Sequence, residues 1–230
     1  MTGVQTCALP ICALSRILGR ALLWAAAAVG VWVLAYRWVD PPTTWLIEAE
    51  RARLGEVARE GAALEALPPL VRLAFPAAED ARFCGHWGID LVALREAVEA
   101  ARAGGRLRGA STLTQQVAKN AFLWPGRSWL RKALEAPLAL LIEALWPKRR
   151  VLEVYLSVAE MGEGVFGLGA AARRWYGVEA AALTPERAAR IAAILPSPRT
   201  RAPGAQGARA AAILEGATTL RADGRGACVL

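Results

Sequence analysis

Histidine is almost missing from this 230-residue chain, with His86 alone, and the four cysteines, Cys7, Cys12, Cys84 and Cys228, make no CxxC pair. Zinc spacing of the His and Cys kind is therefore absent, no disulfide framework is implied, and cysteine usage says little about compartment. Sustained alternation of apolar and polar residues is also nearly absent, which points away from sheets and toward an all-α domain. There is no internal repeat, and no low-complexity tract beyond richness in alanine. Lysine is scarce beside arginine.

What is present begins with charge. The 28 Lys and Arg outnumber the 20 Asp and Glu, a formal net charge of +8. Such a balance favours anionic partners: nucleic acid, anionic lipid or a phosphorylated substrate. Compositional bias is the plainer reading of most of that excess and needs no partner. The length suits one domain plus an anchor or tail and is enough to bury a core without disulfide staples.

Residues 1–11, MTGVQTCALPI, read like the translation of a sequencing-library adapter and are expected to be non-native. An uninterrupted apolar run from Ala21 to Tyr36 follows, extending to Val39 if Arg37 is tolerated. It is slightly short of the roughly 20 residues a bilayer needs, and Arg20 and Arg37 can snorkel to make up the length. A cleaved signal peptide would end in a small-residue site, whereas this run closes with Tyr36-Arg37-Trp38-Val39-Asp40-Pro41-Pro42. Residues 17–39 are therefore expected to be a single-pass anchor, with Arg16 and Arg20 placing the N-terminus in the cytoplasm. Residues 40–66 read as a juxtamembrane linker and helix, 67–203 as the main domain, and 204–230 as a C-terminal helix and tail. Helical patterns are expected over Leu46–Glu60, Pro69–Phe83, Asp90–Ala103, Thr112–Asn120, Leu130–Trp146, Lys148–Met161, Ala170–Tyr176, Pro185–Leu195 and Ala208–Leu220.

Four blocks carry chemistry. In the first, Glu79-Asp80-Ala81-Arg82-Phe83-Cys84-Gly85-His86-Trp87-Gly88-Ile89-Asp90, two carboxylates end an apolar segment, a setting that raises a pKa and suits a general base or acid. A solvated helix end is the plainer reading of such a pair alone. The second runs from Gly109 to Asn120. A small-residue loop meets a helix capped by Ser111 or Thr112, whose free N–H groups attract phosphate. Gln115 with Lys119, and Gln116 with Asn120, share helix faces. A capped helix with a wet face is the alternative. In the third, Arg127, Arg131 and Lys132 surround Glu135, more cations than one surface ion pair requires, and together they can neutralise a pyrophosphate. The fourth, Lys148 to Ser157 followed by Gly162-Glu163-Gly164-Val165-Phe166-Gly167, reads as structural, with Glu153 and Tyr155 bracing the others.

In order and spacing the four blocks resemble the peptidoglycan glycosyltransferase family, in particular its monofunctional membrane-anchored branch. The family pattern is E-D-x-x-F-x-x-H-x-G-x-D, G-x-S-T-x-T-Q-Q-x-x-K-N, R-K-x-x-E and L-E-x-Y-L, and the resemblance covers about Leu67 to Pro203. It implies a mainly α, lysozyme-like glycosyltransferase domain preceded by one transmembrane helix, set outside the cytoplasmic (inner) membrane in the periplasm. It implies polymerisation of lipid II into β-1,4-linked glycan, with inversion and release of undecaprenyl pyrophosphate. Glu79 matches the general base and Glu135 the second acid. Ser111, Thr112, Gln115, Gln116, Lys119, Asn120, Arg127, Arg131 and Lys132 are expected to bind substrate. Asp80, Phe83, His86, Gly88, Glu153 and Tyr155 are expected to support the site.

No dedicated metal cage is visible, so a divalent Mg or Mn ion would be held jointly with the pyrophosphate, and no permanent cofactor is expected. The expected partners are lipid II, lipid-linked glycan, the membrane and other cell-wall synthesis or division proteins, with no nucleic acid. Leu123 and Trp124 are expected to dip into lipid. Three departures stand out: Ser157 where the family has Asn, and Pro76 and Pro137, each of which removes a helical N–H. No Ser-x-x-Lys transpeptidase motif is visible. The competing readings are a lysozyme-like hydrolase or lytic transglycosylase, which needs no cation cluster, and an inactive membrane scaffold.

Overall fold

The computed structural model describes residues 9–105, 111–126 and 128–230, with side chains from Leu14 onward. Helix α1, Leu9–Ala35, contains 22 residues, Leu14–Ala35, of mean hydropathy 1.9. Leu22, Leu23 and Trp24 on it are largely exposed, an arrangement that costs free energy in water and none in hydrocarbon. The helix fits a single-pass membrane anchor. It takes in Arg16 and Arg20 and stops at Ala35, so Arg37 lies past its end. Residues 1–8, most of the suspected adapter segment, lie outside the described residues.

Asp40–Leu230 form a second compact unit. In it α2, Trp45–Leu54, is capped by Thr44 and ends at Gly55, whose φ of 88° breaks the helix. The expected continuation to Glu60 fails there. The chain turns extended instead, and β1, Ala58–Arg59, pairs in parallel with β2, Val165–Phe166. Two-residue strands leave no alternation to read. Gly167 makes the pairing possible: its φ is +84°, and a Cβ there would stand 2.3 Å from the Glu60 carbonyl oxygen. Gly167→Ala should therefore lower stability by about 3 kcal/mol or more, combining positive-φ strain with a backbone clash. Thermal unfolding should show a Tm drop of roughly 6–12 °C; an unchanged Tm would contradict this packing.

Helix α3, Pro69–Glu79, starts with Pro at its first position, where no N–H is needed. It buries Val71, Leu73, Ala74 and Phe75 and ends at Glu79, because Asp80, at φ −160° and ψ 69°, leaves helical geometry. The helix runs through Pro76, as α6, Trp129–Leu145, runs through Pro137. Helix α4, Leu91–Arg102, is capped by Asp90 through the N–H groups of Val92 and Ala93. Helix α5, Leu113–Val117, passes directly into a π-helical turn, Ala118–Phe122. The regular helix expected to Asn120 is thus widened, and side chains after Val117 are rotated from simple i,i+4 stacking. Helix α7, Lys148–Val158, buries Val151, Leu152, Val154, Tyr155, Leu156 and Val158, the all-round burial of a central helix. It stops at Val158 because Ala159 is extended, short of the expected Met161.

Helices α8, Leu168–Tyr176, and α9, Pro185–Ile194, follow, and α10, Gly207–Ala222, packs on α3 and α9. The C-terminal helix is thus part of the same unit as α3. The tail beyond it carries a bond that sequence spacing did not imply: Cys84 and Cys228, 144 residues apart, form a disulfide with a Cα–Cα distance of 5.6 Å.

Candidate active site

Glu79 closes α3 with its side chain mostly buried. Its Oε2 accepts a hydrogen bond from Gln116 Nε2 at 2.9 Å. Burial pushes its pKa up; the Gln116 bond and the charges of Arg209 and Lys119 oppose this, and Asp80 adds to it. A carboxylate so placed is a stronger base than one in water. It lines a cavity of about 430 Å³ with Asp80, Arg82, Asp90, Ser111 and Thr112.

The loop after Glu79 is braced at every turn. Asp80 accepts hydrogen bonds from the Leu113 N–H at 2.9 Å and from His86 Nε2 at 3.0 Å. Asp90 receives Arg82 Nε at 2.9 Å besides its two capping N–H groups. Oxygens of Asp80 and Asp90 come within 4.8 Å of a His86 nitrogen. Those oxygens accept hydrogen bonds from protein donors, and the trio holds the loop. Phe83 is buried under Lys148, whose Nζ stands 4.5 Å from the ring centroid and pairs with Glu143 at 2.7 Å. Gly88, at φ +79°, presses so close to Ala139 and Glu143 that a Cβ would meet both at 3.0 Å.

Thr112 and Gln115 turn their side-chain oxygens to the backbone, and Thr112 also lines the Glu79 cavity. Thr112 accepts from the Gln115 N–H at 3.1 Å and donates to the Gly88 carbonyl at 2.6 Å, while the Gln115 side chain accepts from the Thr112 N–H at 3.0 Å. Their oxygens are spent on a capping box that fixes the start of α5 against the Gly88 turn. Ser111 is exposed at the rim of the Glu79 cavity.

A second cavity, about 490 Å³, adjoins the π-helical turn. Lys119, Asn120, Arg131 and Arg199 supply its polar wall, and Leu46, Leu123, Trp124 and Pro125 its apolar one. Glu135, 3% exposed, lies behind the cations. It is bonded by the Arg131 guanidinium and by Lys132 Nζ, the latter at 2.7 Å. Arg131 Nε is a buried donor with no partner among the described residues. Arg127 lies outside the described residues.

Lys119, on the wall of the second cavity, is within electrostatic reach of both Glu135 and Glu79. Burial lowers its pKa; among the charges around it Glu135 counters this most, Arg131 and Lys132 lower it further, and Glu79 raises it. Arg199 was not singled out in the sequence because it sits in a Pro-rich loop without periodicity. It is held by Glu50 at 2.8 Å and Glu160 at 3.0 Å. Arg209 of α10, which bears on Glu79 through charge, was missed for the same lack of local signal.

Glu153 and Ser157 border a third, smaller cavity with Asp40 and Gly61. Glu153 is paired with Arg150 at 2.6 Å. Ser157 fits against Gly61, where a Cβ would meet its Oγ at 3.1 Å. Neither borders the cavities of Glu79 or Lys119. Tyr155 is wholly buried, its phenol pKa raised well above 10.0 by burial and by the charge of Glu79.

With Glu79 as the expected base and Lys119 as the expected cation at an anion, the two shifts predict a pH dependence. Glu79 accepts a proton only when ionised, so activity rises as pH climbs through its raised pKa. Lys119 neutralises an anion only when protonated, so activity falls as pH climbs through its lowered pKa. The rate profile should be bell-shaped, with its limbs drawn inward from the ordinary values of 4.5 and 10.5. Lys119→Arg should move the alkaline limb upward, since guanidinium stays charged. An alkaline limb that stays put would remove Lys119 from the site.

The family model described as Transglycosylase matches residues 48–219. A biosynthetic peptidoglycan transglycosylase of Jannaschia sp. is 48% identical over 220 residues, covering 94% of this chain and 90% of that protein. The protein of the same name from Rhodospirillum centenum is 49% identical over 217 residues, covering 92% of each. One from Pseudomonas putida is 50% identical over 191 residues, covering 80% of this chain and 81% of its own.

Proposed function

The chain belongs to the transglycosylase family, and we propose that its Asp40–Leu230 unit polymerises lipid II at the membrane with release of undecaprenyl pyrophosphate. The reaction is a peptidoglycan glycosyl transfer in cell-wall synthesis. The observation that carries the finer reading is the placement of Lys119 between a buried base, Glu79, and a cluster of cations around Glu135. A hydrolase acting on finished glycan has no use for such a cluster, because no pyrophosphate leaves.

In this mechanism Glu79 takes the proton from the acceptor's sugar 4-hydroxyl as that oxygen attacks the donor's anomeric carbon. The bond from that carbon to pyrophosphate breaks with inversion, giving a β-1,4 linkage. Lys119, Arg131 and Lys132 stabilise the charge that grows on the leaving pyrophosphate, and Glu135 fixes two of them by hydrogen bonds. Preorganised charge in a water-poor cleft supplies several kcal/mol of barrier reduction, on the order of 3 per well-placed donor. Gln116 orients the Glu79 carboxylate. Both Glu135 oxygens are engaged by cations, so the cluster presents no free carboxylate for a resident metal. A Mg or Mn ion would enter as a complex with the substrate pyrophosphate, and no step depends on it.

The domain is read as periplasmic and α1 as its cytoplasmic-membrane anchor. The Cys84–Cys228 disulfide supports that side, since such bonds persist in oxidising compartments. Leu123 is buried; Trp124 lines the cationic cavity, and the exposed Trp129, at 92%, and Leu130 immediately precede Arg131.

Detergent-solubilised protein with labelled lipid II tests the reading. The expected product is a ladder of glycan polymer. Cleavage of preformed glycan without polymer would assign the hydrolase instead.

A further inference from the structure

We infer that the Cys84–Cys228 disulfide makes the C-terminal tail a positioning element of the active site, so that the oxidised protein is the fully active form. The inference rests on the reading of Glu79 as the base.

The argument starts from where the bond attaches. Cys84 sits in the short 3₁₀ turn Phe83–Gly85, between Glu79 at the end of α3 and His86, the partner of Asp80. From inside the domain this loop is held without covalent help, by Leu113 N–H on Asp80, Thr112 on Gly88 and Lys148 over Phe83. From outside, the described contact of covalent strength is Cys228, in the turn Ala227–Val229.

That tail is itself seated. The Gly226 N–H donates to the Leu220 carbonyl at 2.9 Å, closing the end of α10. A Cβ at Gly226 would lie 2.4 Å from Leu73 Cδ2, so the tail runs directly over α3. Val229 is fully buried, and its carbonyl accepts from Arg72 of α3 at 3.4 Å. Arg149 of α7 donates to the Leu230 carbonyl and pairs with Glu65 at 2.7 Å. The disulfide thus ties the loop following Glu79 to a segment gripped by α3 and α7, fixing the C-terminal end of α3 from both sides.

Breaking the bond leaves the internal hydrogen bonds in place, so the fold persists while the loop loses its tie to the tail and Glu79, on its cavity wall, becomes more hydrated. Around Glu79 stand Gln116 from α5, Lys119 from the π-helical turn, Arg209 from α10, Asp80 from its own loop and Tyr155 from α7. Burial is what holds its pKa up, so hydration lowers it and moves the acid limb of the rate profile to lower pH. The base also becomes weaker and less well aimed, so the plateau rate falls. Formation of the bond is a two-electron oxidation: two thiols pass two electrons and two protons to an oxidised disulfide-exchange partner.

The test uses the full chain in detergent at 20 °C. One sample is kept oxidised, one is reduced with dithiothreitol, and a portion of the second is reoxidised with oxidised glutathione. Free thiols, near-UV circular dichroism and lipid II polymerisation across pH are read on each. Reduction is expected to lower kcat about tenfold, leave KM within twofold, retain the dichroism and shift the acid limb downward, with reoxidation restoring all of it. The Cys84→Ala/Cys228→Ala protein should match the reduced one and ignore both reagents. Unchanged rate and profile in reduced, folded protein would overturn the inference, as would loss of near-UV signal, which would make the bond a staple of the whole fold. No polymer from the oxidised sample would instead sink the functional reading itself.

Discussion

The Glu79→Gln protein is expected to fold, bind lipid II and make almost no glycan. Glutamine keeps the size of the side chain, and its carbonyl oxygen can still accept from Gln116 Nε2, which now stands 2.9 Å from Oε2. What is lost is the lone pair that takes the proton. Removal of a positioned general base costs about 10²- to 10⁴-fold. The upper part of that range is expected, because Glu79 is desolvated and pre-aimed. Burial of an ionised carboxylate is unfavourable, so the variant should unfold at or slightly above the parent's Tm. Reduced rate with equal or raised stability is the signature of a group kept for chemistry. A variant retaining a tenth of the parental rate would move the base elsewhere.

The second large effect is expected at Glu135. This carboxylate is buried and takes Lys132 Nζ at 2.7 Å together with the Arg131 guanidinium. Glu135→Gln leaves two cations, with Lys119 nearby, facing one another without their counter-charge. Breaking a buried pair by removing one partner costs about 3–5 kcal/mol. The cations are also expected to splay, since nothing else among the described residues is bonded to the Lys132 head group or to Arg131 at that end. Activity should fall about a hundredfold or more, and Tm by roughly 6 °C or more. Both must fall together. A loss of activity with unchanged Tm would mean that Glu135 contacts substrate directly instead of arranging the cations.

The sequence made the helices legible because their apolar positions recur at helical spacing, as in Val71, Ala74 and Phe75 of α3 or Val151, Val154, Tyr155 and Val158 of α7. Their ends were less legible. Gly55 stopped α2 by adopting a positive φ that no periodicity announces, and strands two residues long have no pattern to show. Among the site residues, Gln116 is bonded to Glu79, Arg131 and Lys132 are bonded to Glu135, and Lys119 feels the charge of both carboxylates. Thr112 and Gln115 are of the right type to bind a sugar phosphate, and their oxygens also form the capping box at the start of α5. Arg199 and Arg209 come from loops and helices distant in sequence, so proximity alone reveals them. The disulfide joins residues 144 apart, and pairing at that range depends on Cα geometry, which composition does not contain. The π-helical turn that redirects Lys119 has no single-residue signal either.

The central claim is that a base and a cation cluster act on one bond to pyrophosphate. It is tested most directly by following undecaprenyl pyrophosphate and glycan linkages in the same lipid II reaction, by mass spectrometry, for the parent and Glu79→Gln. The account predicts one polyprenyl pyrophosphate released for each β-1,4 linkage formed by the parent, and neither product above background from the variant. Linkages formed without pyrophosphate release, or release without linkage, would contradict it.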